Sequence, residues 1–264
     1  MKYIATLSLP LLFISCKSTS VVNIGIIGFI AIFGTMFLLF ALMFFLIAKR
    51  KKQGEKSLVK FNNDIYFALN RLDTPQGKAN MLSTLIGRIN NDEKYKKDTE
   101  WRDKVLLKAY THLATVYYHM GDEMQTLNAC SEIIKLDSKD GMAYYNRGSI
   151  YSNMGLYEKA LQDLNKTIEL MPGYAGAYNN RGLVRKKTEH YGEALDDFSK
   201  AVELEGSPIA YYNRGNTYYE LKEYDKALDD YNHIIRNMEN YQPDFKKEVE
   251  QSIRIVEDRK SNLK

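Results

Sequence analysis

Hydrophobic positions divide the chain into one unbroken apolar run and a long stretch of helical periodicity. From Val21 to Ala48, 28 residues pass without a charge. Ile, Leu, Phe, Met, Gly and Ala dominate them, so a helix drawn through the run has no polar face. At ~1.5 Å of rise per residue it would extend about 42 Å, more than the ~30 Å hydrocarbon core of a bilayer. A helix packed on a protein surface keeps a polar face and a buried core helix is shorter, so the pattern predicts a transmembrane helix over 21–48. Beyond it, Leu58, Phe61, Ile65, Ala68 and Leu72 recur at helical spacing, as do Ala79, Leu82, Ile86 and Ile89. Asp73-Thr74-Pro75 separates these stripes and puts Pro75 in a helix-start position, which predicts a helical pair and a polar linker over 57–98. At the other end Phe245, Val249, Ser252, Ile253 and Val256 form one stripe on an otherwise charged helix, 243–262, as a terminal cap requires.

The apolar run is followed by Lys49-Arg50-Lys51-Lys52, the start of a basic juxtamembrane linker, 49–56. Cationic flanks of a span stay on the cytoplasmic side. The expected location is therefore the inner (cytoplasmic) membrane of a bacterium, with everything from Gln53 onward in the cytoplasm. The first twenty residues hold a second, shorter membrane signal: Lys2, then apolar residues from Ile4 to Ile14 interrupted by Pro10, then Ser15-Cys16-Lys17-Ser18. This resembles a secretory signal peptide. Phe13-Ile14-Ser15-Cys16 is similar to a bacterial lipobox, in which the cysteine is lipidated after cleavage, although Phe13 stands where Leu is usual. The same residues suit an uncleaved first arm of a membrane hairpin, with Cys16 a free thiol in its turn. Both readings leave residues 15–20 outside and the large domain inside.

Repetition dominates the rest. The segments Tyr144-Tyr145-Asn146-Arg147-Gly148, Tyr178-Asn179-Asn180-Arg181-Gly182 and Tyr211-Tyr212-Asn213-Arg214-Gly215 place their glycines 34 and then 33 residues apart. A period of this size in a helical sequence predicts stacked helix-turn-helix units. Each segment continues in register with Tyr157, Tyr191 or Tyr224, then Ala160, Ala194 or Ala227, then Leu164, Phe198 or Tyr231. The glycines and alanines let two helices of a unit approach closely, and the rings fill the space between neighbours. Counting back from Gly148 gives a weaker unit that keeps Tyr110, Ala114, Tyr117 and Gly121, has Thr126 for the small Ala, and lacks the arginine. Four units follow: a divergent one at 107–140, then 141–174, 175–207 and 208–241.

These marker positions resemble the tetratricopeptide repeat family. The resemblance implies an all-α fold, a right-handed superhelix of helix-turn-helix repeats, to which the N-terminal transmembrane helix is added. It also implies a concave groove lined mainly by the first helix of each unit, and a protein-protein interaction scaffold that binds a peptide or protein there. In the second unit the groove positions are Tyr145, Asn146, Ser149 and Asn153. In the third they are Asn179, Asn180, Leu183, Lys186 and Lys187, and in the fourth Tyr212, Asn213, Asn216, Tyr219 and Glu220. Asn146, Asn180 and Asn213 recur at one position, which His112 occupies in the first unit. An amide there offers a donor and an acceptor to an extended peptide backbone, or is satisfied within the array. The carboxylate-clamp version of the fold grips acidic peptide ends with Lys and Asn; here Thr111 and Thr115 stand at those places in the first unit, which argues against such a ligand.

Arg147, Arg181 and Arg214 are each followed sixteen residues later by Asp163, Asp197 and Asp230. In the divergent unit both positions turn apolar, to Leu113 and Ala129. Paired loss predicts structural ion pairs joining the two helices, since an isolated buried guanidinium is costly.

Charge narrows the partners further. The formal net charge is +4, but residues 1–52 carry six basic and no acidic side chains, leaving 31 basic against 33 acidic in the remainder. That body lacks the excess that phosphate binding needs, so nucleic acid is not expected. Cys16 and Cys130 fall on opposite sides of the proposed membrane and form no disulfide framework; Cys130 occupies an inward helical position. No phosphate loop, dinucleotide fingerprint or His-Glu-x-x-His occurs. His112 and His119 lack companions at metal-ligand spacing. The expectation is a binding protein with no cofactor, no metal, no small-molecule substrate and no catalytic residue: a membrane-anchored adaptor, or alternatively a permanent structural subunit of a membrane complex, or an exported periplasm-facing lipoprotein.

Overall fold

A computed structural model describes residues 21–92, 99–237 and 243–262, with side chains from Met36 onward in the first helix. Every regular element among them is helical. The signal-like segment 1–20 and Cys16 lie outside the described residues. The chain forms two compact units, residues 1–57 and 58–264.

Helix α1 runs from Val21 to Arg71 without a break. The stretch 49–56, expected as a linker, is thus helical: Lys, Gln and Glu are good helix formers, and Gly54 alone is not enough to stop propagation. Among the described residues no helix is long and apolar enough to cross a membrane.

In the second unit α2, Pro75–Asn91, starts with Pro75 at N1 and Thr74 as cap, its hydroxyl accepting from Gly77 N. Helix α3, Thr99–His119, begins well before residue 107 and serves two partners. One side joins Phe61, Ile65, Leu82, Leu85 and Ile89 in a buried cluster through Trp101, Val105 and Ala109, with Trp101 stacked on Phe61 at 5.9 Å. Its second half pairs with α4, Glu123–Leu136, to form the first hairpin. Three more hairpins follow: α5 and α6, Gly141–Asn153 and Tyr157–Leu170; α7 and α8, Ala175–Lys187 and Tyr191–Glu205; α9 and α10, Pro208–Glu220 and Tyr224–Asn237. Each second helix packs on the first helix of the next hairpin, and first helices also meet one another, α5 on α7 and α7 on α9. Helix α11, Pro243–Ser261, closes the series against α10, with Val249 and Val256 buried.

Turn chemistry explains why the hairpins fold locally. Asp122 and Asp140 cap α4 and α5, accepting from Gln125 N and Ala143 N. Gly206 ends α8 in the left-handed region and Pro208 opens α9. The turn inside every hairpin needs one positive φ, met by Gly121 (72°), Gly155 (73°), Glu189 (63°) and Lys222 (61°). The first two units use glycine and the last two bear a side chain there. A Cβ at Gly155 would touch nothing within 4 Å, so Gly155→Ala is expected to cost only the conformational penalty, about 1 kcal/mol. Chemical denaturation measures it; no loss of stability would mean that the turn relaxes.

Candidate binding groove

The hairpins are held to one another by arginines that each grip two of them. Arg147 donates from Nε to Asp163 Oδ2 at 2.7 Å and from Nη2 to Oδ1 at 2.8 Å. Arg181 makes the same forked contact with Asp197 at 3.0 and 2.6 Å, and Arg214 with Asp230 at 2.9 and 2.6 Å. Hydrogen bonding to the aspartate is the main reason that the Arg147 and Arg214 guanidinium groups stand above their ordinary pKa. The aspartates are buried, which makes the bidentate geometry necessary. The remaining nitrogen, Nη1, reaches back to the preceding hairpin: Arg147 to Ser131 Oγ at 3.3 Å, Arg181 to Asn165 Oδ1 at 2.7 Å, Arg214 to Ser199 Oγ at 3.2 Å. Each guanidinium also lies over the tyrosine three residues earlier, 5.4–5.6 Å from its centroid. Ser131, Asn165 and Ser199 repeat every 34 residues, a signal in the sequence that the helical pairing alone does not reveal. Arg185 adds a further contact to Asp197, 2.7 Å from Nη1, and pairs with Glu193 at 2.9 Å.

Across the hairpins runs a chain of amides. Asn180 Nδ2 donates to Ser149 Oγ at 2.8 Å, Asn179 Nδ2 to Asn180 Oδ1 at 3.4 Å, and Asn213 Nδ2 to Asn179 Oδ1 at 2.9 Å. Two of the three repeated asparagines are thereby spent on the array itself. Asn146 is exposed, and its amide has no hydrogen-bond partner among the described residues.

The far end of the expected groove is occupied by the protein's own side chains. Tyr212 donates its hydroxyl to Glu248 Oε1 on α11 at 2.9 Å and packs edge-on against Phe245 at 5.4 Å. Asn216 Oδ1 accepts from the buried Tyr231 at 2.5 Å, whose hydroxyl pKa is raised by burial. Tyr219 leans on Tyr224, their centroids 5.9 Å apart. Lys186 pairs with Glu220 at 2.9 Å. Leu183 is half-buried and Lys187 exposed.

The near end is open. A pocket of about 970 Å³ lies between the first and second hairpins, lined by Tyr145, Asn146, Ser149, Asn153 and Asn180 together with the α3–α4 turn. Tyr145 stands edge-on to Tyr174 at 4.9 Å, where burial pushes the Tyr174 hydroxyl up to about 12. Asn153 donates to Glu123 Oε1 at 3.2 Å. The turn contributes Tyr118, His119, Met120, Asp122, Glu123 and Met124. None of these six is among the groove positions read from the sequence, although Tyr118 and His119 hold the same places in the first unit as Tyr219 and Glu220 in the fourth.

Among the described residues no three His, Cys, Asp or Glu side chains come together. His112 is half-buried, with its pKa lowered by burial and then by Lys108. Cys130 is fully buried, and desolvation raises its thiol to about 11, which leaves it a packing residue.

Family models of the tetratricopeptide repeat match residues 142–174 and 208–241, and another of the same description matches 175–208. The first hairpin lies outside the matched residues. No curated protein matches the chain by sequence. Solved structures share the fold: a tetratricopeptide repeat protein from Parabacteroides merdae, at 19% identity and a TM-score of 0.62, covers 78% of this chain over 76% of its own. MamA from Desulfovibrio magneticus RS-1, residue 41 to its end, is 18% identical with a TM-score of 0.57, covering 69% of this chain and 97% of that one. A further MamA structure is 20% identical with a TM-score of 0.55 and covers 72% and 100%. With hairpin pairing, the marker glycines and these matches in agreement, residues 142–241 are tetratricopeptide repeats.

Proposed function

We propose that this chain is a membrane-anchored adaptor that holds a partner protein or peptide in the concave groove of its right-handed repeat superhelix. The observation carrying the binding half is the pocket between the first two hairpins, with Asn146 exposed and unbonded among the described residues beside it. Most other groove positions already have partners within the protein, so binding concentrates where the array leaves polar groups and apolar surface open together.

Anchoring rests on α1. Its side chains from Met36 to Ile47 are exposed on every face, Phe37 and Phe44 each by 75%. A continuous apolar belt of that kind needs lipid or a partner helix around it, and the four cations after it favour a cytoplasmic array. The same belt also suits a permanent subunit whose helix packs inside a membrane complex. The exported lipoprotein reading depends on Cys16.

Two measurements test the proposal. A reporter enzyme fused after Lys264 is expected to be active only in the cytoplasm; periplasmic activity overturns the topology. A photo-crosslinking residue placed at 146 in the full chain is expected to capture a partner that the same residue at Asp196, exposed on α8, does not. Equal labelling at both places removes the groove from the proposal, and a stoichiometric salt-resistant complex in detergent favours the subunit over the adaptor.

A further inference from the structure

The pocket is lined at one repeat position by a carboxylate where the later hairpins carry a ring. In the second, third and fourth hairpins the first residue of the second helix is a tyrosine: Tyr157, Tyr191 and Tyr224. All three are half-buried. Tyr157 packs on the cluster of Ala160, Leu164 and Val184, which spans two hairpins, and Tyr224 on that of Ala227, Tyr231 and Ile234. In the first hairpin the same position is Glu123, which is exposed and lines the pocket, its carboxylate accepting one hydrogen bond among the described residues, from Asn153. A carboxylate in place of a phenol ring removes apolar volume and installs a negative charge at one stroke.

The surroundings complete a charge pattern. Among the described residues of the lining Asp122 is the other carboxylate, His119 is the one side chain that can carry positive charge, and there is no Lys or Arg. Met120, Met124, Tyr118 and Tyr145 supply apolar walls. A methylene stem suits such walls while its charged head meets a carboxylate, and methionines adapt to stems of different shape. Beside them Asn146 offers an amide donor and acceptor to a peptide backbone. We propose that this pocket takes an extended segment of a partner protein through a lysine or arginine side chain directed at Glu123. This rests on the groove reading above and gives its partner a chemical class: a cationic segment, opposite in sign to the acidic ends that a carboxylate clamp grips.

The probes are fluorescent peptide mixtures with blocked ends, the central residue fixed in turn as Arg, Lys, Leu, Phe or Glu and the flanks randomised, titrated against the full chain in detergent micelles. The Arg and Lys mixtures are expected to bind at least ~10-fold more tightly than the Glu mixture, about 1.4 kcal/mol. Glu123→Gln is expected to erase most of that preference. Glu123→Tyr, which restores the ring of the other hairpins, is expected to abolish binding while the thermal midpoint holds or rises, so that a misfolded variant is recognised at once. Binding of all mixtures alike, lost in Glu123→Tyr, overturns the charge preference and leaves the groove reading standing. Binding that Glu123→Tyr leaves intact overturns the pocket, and binding by none of the mixtures overturns both readings.

Discussion

Asp197→Ala is expected to destabilise the array by about 3–5 kcal/mol, the range for removing one partner of a buried ion pair. Asp197 is 3% exposed and receives both Arg181 and Arg185. Its loss leaves Nε and Nη2 of Arg181 without an acceptor in a place that water barely reaches, while Nη1 keeps Asn165 and Arg185 keeps Glu193. The cost is the unpaired charge rather than the worth of the bond. The protein itself contains the control: the first hairpin has Leu113 and Ala129 at these positions, 6% and 3% exposed, with no charge at all. Transplanting that solution as Arg181→Leu with Asp197→Ala is therefore expected to cost under about 1.5 kcal/mol, because a well-packed apolar pair often replaces a buried ion pair with little loss. Chemical denaturation in detergent of the unaltered chain, Asp197→Ala, Arg181→Leu and the double variant, followed by helical circular dichroism, gives the coupling energy. Additive costs would mean that the two side chains act separately.

The repeats were readable from the sequence because close packing of two helices is unforgiving at a few positions, and those positions recur at a near-constant interval. The arginine and aspartate positions could be read for a related reason: charges that must meet are lost together, as Leu113 and Ala129 show. What the pattern hides depends on contacts between units or on neighbours outside the array. Asn180 and Asn213 have the same place in their units, yet one donates to Ser149 and the other to Asn179, a choice set by which acceptor the preceding hairpin presents. Tyr212 and Asn216 lie on the expected lining, but a partner from α11 and a buried tyrosine claim them. Glu123, at the repeat position of Tyr157, was not read from the sequence and became informative only as the gap left by a missing ring. The continuity of α1 through 49–56 was hidden too, since a basic stretch in sequence reads as a boundary, whereas its residues are content in a helix.

Gly182→Ala is expected to cost about 1–3 kcal/mol by overpacking. A Cβ at 182 would lie 2.7 Å from Phe198 Cε1 and 2.9 Å from Cδ1, and Phe198 is fully buried with no open side to turn toward. Every hairpin divides the same volume between two helices at this crossing. Gly148 faces Leu164, Gly182 faces Phe198 and Gly215 faces Tyr231, whereas the first hairpin carries Ala114 in the glycine's place and buries it in one cluster with the small Cys130. Bulk added on one helix is matched by bulk withdrawn on the other. Phe198→Cys alone opens a cavity and costs stability. In its presence Gly182→Ala should be far cheaper, a favourable coupling within the ~0.5–3 kcal/mol seen for residues in contact. If the two costs simply add, the glycine serves the approach of the helix backbones and not the ring, and the link drawn here between Ala114 and Cys130 fails with it.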